Sequence, residues 1–358
     1  MVDEGQQGLP SLLRLRVSYE DRPSGGPWLL DWLERPRLER SAAAASLEFS
    51  SDPNRPLRVA EGPLAGETWP ELAARFGERL LGRRLLEFKE RGLSLDVHFV
   101  AAEDMDAPVR LILSPAAGDS GAPALEAVTI LEARPGAAVY AGRRRSLPED
   151  RFLSCLRSGP GPELLQEHAA EPGSSLLFPP GLPYVLGRGV LAHAVTLRRT
   201  ERGEAEGRAC AGIKGPAAAV LRAPLLYSRL AAKSRGWLDG LNAVTWLYAA
   251  GPLCTIRLDL RAGFTFPRPA LSSPVIVTGI HGRALLFAGA EMETVAKGRT
   301  VVATAACPSL RVNPETGGAA LLLTWLADPA TERDQALLAR GLSRREIEGL
   351  MGVFGKEG

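Results

Sequence analysis

The stretch "LLFPPGLPYVLGRGVL", residues 176–191, decides the fold. Two apolar runs flank Pro179-Pro180-Gly181, and this combination predicts a strand, a tight turn and a returning strand that pairs with the first. The proline rings restrict the backbone while the glycine tolerates a sharp corner, so the turn is stiff. It places Tyr184 at the start of the returning strand.

The same rhythm of short strands and Gly or Pro turns continues along most of the chain. Strand patterns include "AVTILEA" (127–133), "GAAVYAG" (136–142) and "VLAHAVTL" (190–197). A second β series begins at Cys254 and ends in "ALLLTWL" (320–326). Strands at this density predict a mainly β protein that contains two small barrels in tandem.

Helices are few in this prediction. One runs near residues 68–86, where the Thr68 side chain can cap the first turn, and a second runs near 147–157. Both are expected to pack on the outside of the first barrel. Near the end of the chain, Ser343 and Glu346 have the spacing of a capping box, which predicts a short final helix.

These elements predict four consecutive parts of the chain. The first barrel and its helices occupy residues 1–205, and the second barrel occupies 251–330. Between them, residues 206–250 are first polar and Gly-rich and then have a Leu and Ala spacing that allows helix, so they are interpreted as a linker with a helical segment. Residues 331–358 form a helical tail.

Composition excludes several classes of function. The chain has 358 residues, of which 45% are apolar, and this is enough for two hydrophobic cores. The formal net charge of +2 gives no reason to expect nucleic acid or a membrane as a partner. The first residues lack the pattern of a signal peptide, and the four cysteines are far apart, so we expect a cytoplasmic protein with reduced thiols.

Several segments, taken in order, resemble type I mannose-6-phosphate isomerases of the cupin superfamily. "GPLAGETWPELAARFGERLLG" (62–82) is similar to the family's "NGPLAGxTLxEL" segment and the "LLG" after it. "ILEARPGAAVYAG" (130–142) is similar to "ILxAxPGAxIYxG", and "FPPGLPYVLGRGVLA" (178–192) to "IPAGTVHAIGxGxLLA". The resemblance covers residues from about 15 to 328 and implies tandem cupin barrels, with helices packed on the first.

The resemblance also implies a chemistry, the interconversion of mannose 6-phosphate and fructose 6-phosphate. The family holds zinc with a Gln and a His of "QVHP", a Glu of "GKTExWY" and the His of "PAGTVH". The ion positions and polarises the sugar oxygens while a proton moves between two carbons. Such a site needs several ligands converging from different strands, because one ligand cannot hold zinc against water.

Most of these ligand positions carry other residues here. Glu126 matches the family glutamate, although a strand glutamate is equally compatible with an ordinary ion pair. Tyr184 stands where the last histidine is expected, and a neutral phenol is a poor zinc ligand. The "QVHP" segment has two placements. Counting from Gly82 puts it within residues 108–115, which contain no His or Gln, while a direct match to "LSLDVHF" gives Asp96 and His98.

Other residues are further candidates for the first barrel. His193 matches a position near the mouth of that barrel and is a possible metal ligand, although a structural role fits it as well. Arg110, Arg198 and Arg199 are candidates for binding an anion such as a sugar phosphate, together with Tyr184 in the cavity. Since most zinc ligands are replaced, no metal cofactor is expected and activity is left open.

Three functional hypotheses follow, from different classes. The first is a non-catalytic or altered isomerase-like protein that binds a sugar phosphate or a protein partner, for instance as a regulator. The second is an active aldose-ketose isomerase with a rearranged metal site that uses Glu126 with His98 or His193. The third is a structural protein-interaction module with a filled barrel.

Overall fold

The structure, a computed structural model, describes residues 8–35, 42–107, 125–158, 161–178, 182–199, 234–266 and 272–350. It is mainly β, as predicted, and its sheets are antiparallel. Contacts between residues divide the chain into two compact units. The first-barrel unit comprises Ser18–Leu47, Gly92–Ala232 and Gly352–Gly358, and the second-barrel unit comprises Met1–Val17, Glu48–Arg91 and Lys233–Met351.

Strands and helices are numbered along the chain. The strands are β1 (Leu12–Leu13), β2 (Ser18–Glu20), β3 (Ala45–Ser50), β4 (Leu93–Ala102), β5 (Leu125–Ala133), β6 (Ala138–Arg143), β7 (Leu165–Ala169), β8 (Ser175–Phe178), β9 (Tyr184–Leu186), β10 (Val190–Arg199), β11 (Arg235–Asp239), β12 (Asn242–Ala250), β13 (Leu253–Leu260), β14 (Phe264–Phe266), β15 (Val275–Ala288), β16 (Glu291–Ala296), β17 (Thr300–Ala303) and β18 (Leu310–Leu326). The helices are α1 (Trp28–Trp32), α2 (Trp69–Phe76), α3 (Glu78–Glu90), α4 (Glu149–Ser158), α5 (Gln335–Ala339) and α6 (Arg344–Leu350).

Two facing sheets form the first-barrel unit. The larger sheet has the order β2-β3-β4-β10-β5-β8, and the smaller one has the order β7-β6-β9. Buried side chains from both sheets share one apolar cluster, in which Val128 and Ala194 of the larger sheet meet Val139 and Leu186 of the smaller one. Alternate residues of a strand point to opposite faces, so this cluster identifies the inner face of the larger sheet.

The segment that follows Phe178 connects the two sheets. β8 pairs with β5 in the larger sheet, whereas β9 pairs with β6 in the smaller one, so the predicted pairing of these two strands is wrong. The strands instead approach through their side chains, because the rings of Phe178 and Tyr184 stack with centroids 3.9 Å apart. The corner therefore carries the chain from one sheet to the sheet that faces it.

A short helix covers the outer face of the larger sheet. In α1, Leu29, Leu30 and Trp32 are buried, and the Trp32 ring contacts Phe99 of β4 at a centroid distance of 5.5 Å. The indole N–H of Trp32 donates a 2.6 Å hydrogen bond to the Glu132 carboxylate of β5. The helix thus stabilises the pairing of β4 and β5 with the strand between them.

A nine-stranded antiparallel sheet builds the second-barrel unit. Its order is β1-β17-β15-β18-β13-β12-β11, with β14 paired to β18 and β16 to β15. The long strands β15 and β18 bend at glycines, where a side chain has no room. A Cβ on Gly282 would lie 2.2 Å from the Gly318 carbonyl oxygen, and a Cβ on Gly318 would lie 2.7 Å from the Leu260 carbonyl oxygen. These glycines allow one strand to serve two parts of a curved sheet.

The helix predicted near residues 68–86 is a pair of helices in the structure. Thr68 and Glu71 form the capping box at the start of α2, as the sequence predicts. Gly82 interrupts α3 with φ +66° and ψ 163°, and the next residue but one, Arg84, donates its backbone N–H to the Ser272 carbonyl at 2.8 Å. This helix is predicted to pack on the first barrel, but in the structure both helices belong to the second-barrel unit.

Residues 235–250 form the hairpin of β11 and β12 instead of the helix that their Leu and Ala spacing allows. Asp239 pairs with Asn242, so the turn consists of Gly240 and Leu241, and a glycine with φ +61° at the first turn position favours a hairpin and outweighs helix propensity. The rest of the predicted linker, 206–233, lies outside the described residues. The Ser343–Glu346 capping box of α6 is confirmed by a 2.8 Å bond from the Ser343 N–H to the Glu346 carboxylate.

The α4 helix agrees with the second predicted helix. None of the helices in the described part of the chain is long and apolar enough to cross a membrane.

Replacing Gly82 by Ala should lower the free energy of unfolding by about 3 kcal/mol, because its backbone conformation is almost confined to glycine and the new methyl group would meet Ser272 and Ser273 backbone atoms at 2.8 Å. Gly66→Ala is the matched control, since Gly66 also has positive φ but no atom lies within 4 Å of the added Cβ. It should cost about 1 kcal/mol. Chemical denaturation measures both; equal losses would contradict the close approach at Gly82.

Candidate functional site

The inner face of the larger sheet carries a row of polar side chains. Antiparallel register places Thr196 of β10 directly opposite Asp96 of β4 on one side and Glu126 of β5 on the other. Directly opposed residues point to the same face of a sheet, so all three point into the first barrel. Asp96 and Glu126 are each 0% exposed. Strand spacing separates their Cα atoms by roughly 10 Å.

The next inward row brings in the predicted histidine. His98 lies opposite Ala194 and is 3% exposed, and Ala194 lies opposite Val128. The ring Nε2 of His98 lies 3.3 Å from the Thr196 hydroxyl. His98 therefore shares the inner face with Asp96 and Glu126, so the direct match of "LSLDVHF" to the family's ligand segment gives two residues on the same face as Glu126. The other placement, within 108–115, lies outside the described residues.

Tyr184 enters the same interior from the smaller sheet. It is 0% exposed and its ring is nearly parallel to that of Phe178, with an interplanar angle of 7°. Phe178 lies directly opposite Glu126 in the pairing of β8 with β5. The Phe178–Tyr184 stack thus adjoins the Glu126 position. A planar, apolar contact of this kind stabilises the interior, as aromatic pairs contribute about 0.5–1.5 kcal/mol beyond area burial.

An ion pair lies inside the barrel wall. The Arg198 Nε of β10 donates to the Asp96 carboxylate at 3.0 Å, with 21% of the arginine side chain and 0% of the aspartate side chain exposed. Arg198 is two residues from Thr196 and therefore points to the same face. A fixed cation and a carboxylate thus occupy the same face as Glu126. Asp96 and Arg198 are both candidate residues in the sequence, but the sequence does not predict that they pair.

His193 faces the other way. It lies opposite Phe99 and Thr129, one residue out of step with the inward row, and its ring contacts Phe99 edge-on at 5.7 Å. It is 1% exposed, and neither ring nitrogen has a hydrogen-bond partner among the described residues. Burial lowers the pKa of His193 from its usual value of 6.5 to about 3. The imidazole is therefore neutral, and it is not on the face that carries Glu126.

The structure says less about the other two candidate arginines, Arg110 and Arg199. Arg110 lies outside the described residues. The backbone of Arg199 ends β10 opposite Leu93.

The described donors do not suit a zinc ion. Across the part of the chain that the structure describes, no group of three or more His, Cys, Asp or Glu residues comes close enough to hold a metal. Asp96 is bound to Arg198, and Tyr184 supplies a phenol in a ring stack. Zinc requires several ligand atoms within roughly 2.0–2.3 Å of one point. The arrangement instead offers a buried, charged wall beside an aromatic stack.

The chain resembles known proteins in structure but not in sequence. No family model matches the chain, and no curated protein sequence matches it. Solved structures do resemble it. Mannose 6-phosphate isomerase from Bacillus subtilis is 17% identical with a TM-score of 0.67, and the match covers 88% of this chain and 100% of that one.

Two further structures give the same result. A protein of Archaeoglobus fulgidus provisionally assigned as a mannosephosphate isomerase is 19% identical, with a TM-score of 0.68 and coverage of 90% and 100%. A zinc-bound mannose 6-phosphate isomerase is 11% identical, with a TM-score of 0.64 and coverage of 89% and 100%. The chain therefore has the tandem cupin fold of these isomerases, as its sequence predicts.

The buried His193 should make the protein less stable in acid. Its pKa is about 3 when folded and near 6.5 when unfolded, so the unfolded chain binds more protons between these values. Above pH 6.5, His193 does not lower the free energy of unfolding. Below that value, the free energy of unfolding falls by about 1.4 kcal/mol per pH unit as the pH decreases towards 3. His193→Leu should remove about 2–3 kcal/mol of the difference in unfolding free energy between pH 7 and pH 4.5.

Urea denaturation at the two pH values measures this difference. His281→Gln is the matched control, because His281 is exposed on β15. An unchanged pH dependence in His193→Leu would contradict the buried, neutral imidazole.

Proposed function

We propose that the chain is a mannose 6-phosphate isomerase-like protein that binds a sugar phosphate in its first barrel without zinc-dependent isomerisation. Its role is then regulatory or otherwise altered. The fold supports the choice of ligand, since the similar structures are mannose 6-phosphate isomerases and one of them contains zinc. The loss of catalysis is inferred from the residues on the inner face of the barrel.

The observation that carries this proposal is the ion pair of Asp96 and Arg198. The direct match to the family segment puts Asp96 at the position of a zinc ligand. Here its carboxylate already has a cationic partner, and a divalent cation beside the guanidinium would be repelled. The arginine supplies fixed positive charge to the inner face without a metal ion. Removing one partner of such an ion pair is costly, because it leaves the other charge buried without compensation.

Tyr184 supports the same conclusion. A phenol replaces the imidazole that the family uses as its last ligand, and its ring is held flat against Phe178. Turning the hydroxyl towards a metal would break this stack. Two of the four family positions, those of Asp96 and Tyr184, are therefore committed to contacts that do not need an ion.

Arg198 places a guanidinium on this inner face, where its Nε donates to the Asp96 carboxylate at 3.0 Å. Arginine binds phosphate with two parallel hydrogen bonds, which makes Arg198 our proposed anchor for the phosphate group.

A second candidate is an active isomerase with a rearranged metal site. It is favoured by the common inner face of His98 and Glu126, which are one row apart on strands that flank β10. His193 does not support this candidate, because it points to the opposite face. Zinc content separates the two proposals.

The purified protein should contain zinc far below one ion per chain and should not interconvert mannose 6-phosphate and fructose 6-phosphate. Either sugar phosphate should raise its melting temperature, because a ligand that binds only the folded state stabilises it. Metal analysis, a coupled isomerase assay and thermal denaturation make the three measurements. Stoichiometric zinc with turnover would support the second candidate, and no thermal shift would favour a structural interaction module.

Restoring the family ligands should restore metal binding. The triple variant Asp96→Gln, Tyr184→His and Arg198→Gln removes the competing cation and adds two ligand atoms to those of His98 and Glu126. We expect it to bind zinc near stoichiometrically. Isothermal titration with zinc measures this, and the same variant with Glu126→Gln added is the control, which should bind much more weakly. A folded triple variant that takes up no more zinc than the parent would contradict the assignment of these positions.

A further inference from the structure

The second-barrel unit contains a cavity, and none of the residues that line it belongs to the proposed site. Its volume is about 410 Å³, within the usual range for small-molecule sites. It is lined by Trp237, Val244, Trp246, Ile256, Phe264, Phe266, Trp325, Thr331, Glu332, Gln335, Ala336 and Arg340. All of these residues belong to the same unit of the chain.

The walls of the cavity are aromatic. Trp325 packs edge-on against Trp246 at a centroid distance of 5.5 Å and against Phe266 at 5.2 Å. Each of these rings keeps 5–7% of its surface exposed, so the side chains are held in place while part of their surface faces the open space. Rigid aromatic walls of this kind bind a planar, apolar ligand at little entropic cost.

The polar groups stand along one rim. Thr331, Gln335 and Arg340 come from the segment that ends in α5, and the Arg340 guanidinium lies over the Trp237 ring at 5.1 Å from its centroid. Within the described residues, no ion pair involves Arg340. The nearby Glu332 carboxylate accepts a 3.1 Å hydrogen bond from the Asp328 N–H. The rim thus presents a cation whose charge is not neutralised by a direct partner.

Trp237 contributes the face of its ring to the cavity. Its indole Nε1 is buried and forms no hydrogen bond with any described residue, so this atom does not face the open space. The ring lies beside the Arg340 guanidinium and holds it at the rim.

We propose that this cavity binds a small aromatic carboxylate. Its ring system would lie against Trp246, Trp325 and Phe266, and its carboxylate would accept hydrogen bonds from Arg340. A polyhydroxylated ligand fits poorly, because the walls away from the rim consist of apolar side chains. An organic cation is disfavoured by Arg340. This site is independent of the sugar-phosphate proposal.

Calorimetric titration of the full-length chain with 2-naphthoate tests the proposal, with the neutral alcohol 2-naphthylmethanol as the matched ligand. We expect saturable binding of 2-naphthoate and at least tenfold weaker binding of the alcohol. Arg340→Gln should weaken 2-naphthoate binding roughly tenfold or more, because a hydrogen bond to a charged group is lost. Arg345→Gln, which removes an exposed charge that does not line the cavity, should leave it unchanged.

Two more variants test the position of the ligand. Trp237→Leu removes the ring beneath the Arg340 guanidinium and should weaken binding several-fold, while Ala336→Phe adds a ring at an exposed helix position on the rim and should block entry. Melting curves verify that each variant is folded. No saturable binding of 2-naphthoate, equal affinity for the alcohol, or an Arg340→Gln variant that binds like the parent would overturn the proposal.

Discussion

The position of β10 between β4 and β5 is the constraint on which the first barrel depends. Its register with both neighbours puts Asp96, Thr196 and Glu126 in a single inward row and turns His193 outward. A shift of one residue would move every one of these side chains to the other face of the sheet. The contact of Trp32 with Phe99 and its hydrogen bond to Glu132 bind an outer helix to both flanking strands and so support this register.

The charge of Asp96 inside the first barrel is paired with the charge of Arg198. The fully buried Asp96 carboxylate has the Arg198 guanidinium at 3.0 Å, and the buried Tyr184 ring has Phe178. Removal of a metal ion from a site of carboxylates would leave repulsion between them, and an arginine on the same face removes that penalty. The Asp96 carboxylate is thus paired with a group of the protein itself.

The sequence predicts much of the fold, but it does not predict which strands distant in the chain become neighbours. The apolar periodicity predicted the β architecture and the helices near Thr68 and Glu149, and ordered motifs predicted the tandem cupin fold. Glu126 followed from its motif. The bond between Arg198 and Asp96 spans 102 residues, and no local pattern determines which residues of two such strands become neighbours. The corner after Phe178 was misjudged for the same reason, since strand partners depend on the tertiary fold.

The two units interleave along the chain, and this has a consequence for biosynthesis. β1 near the N-terminus pairs with β17, so Leu12 meets Ala303 almost 300 residues later, and the Leu80 carbonyl accepts a bond from the Ala305 N–H. Early segments of the second-barrel unit therefore leave the ribosome long before their partners exist. The first-barrel unit needs no described strand beyond β10 and can be completed first. The second barrel, in contrast, cannot be completed until β17 and β18 have been synthesised, so its early apolar segments are exposed for longer than those of the first barrel.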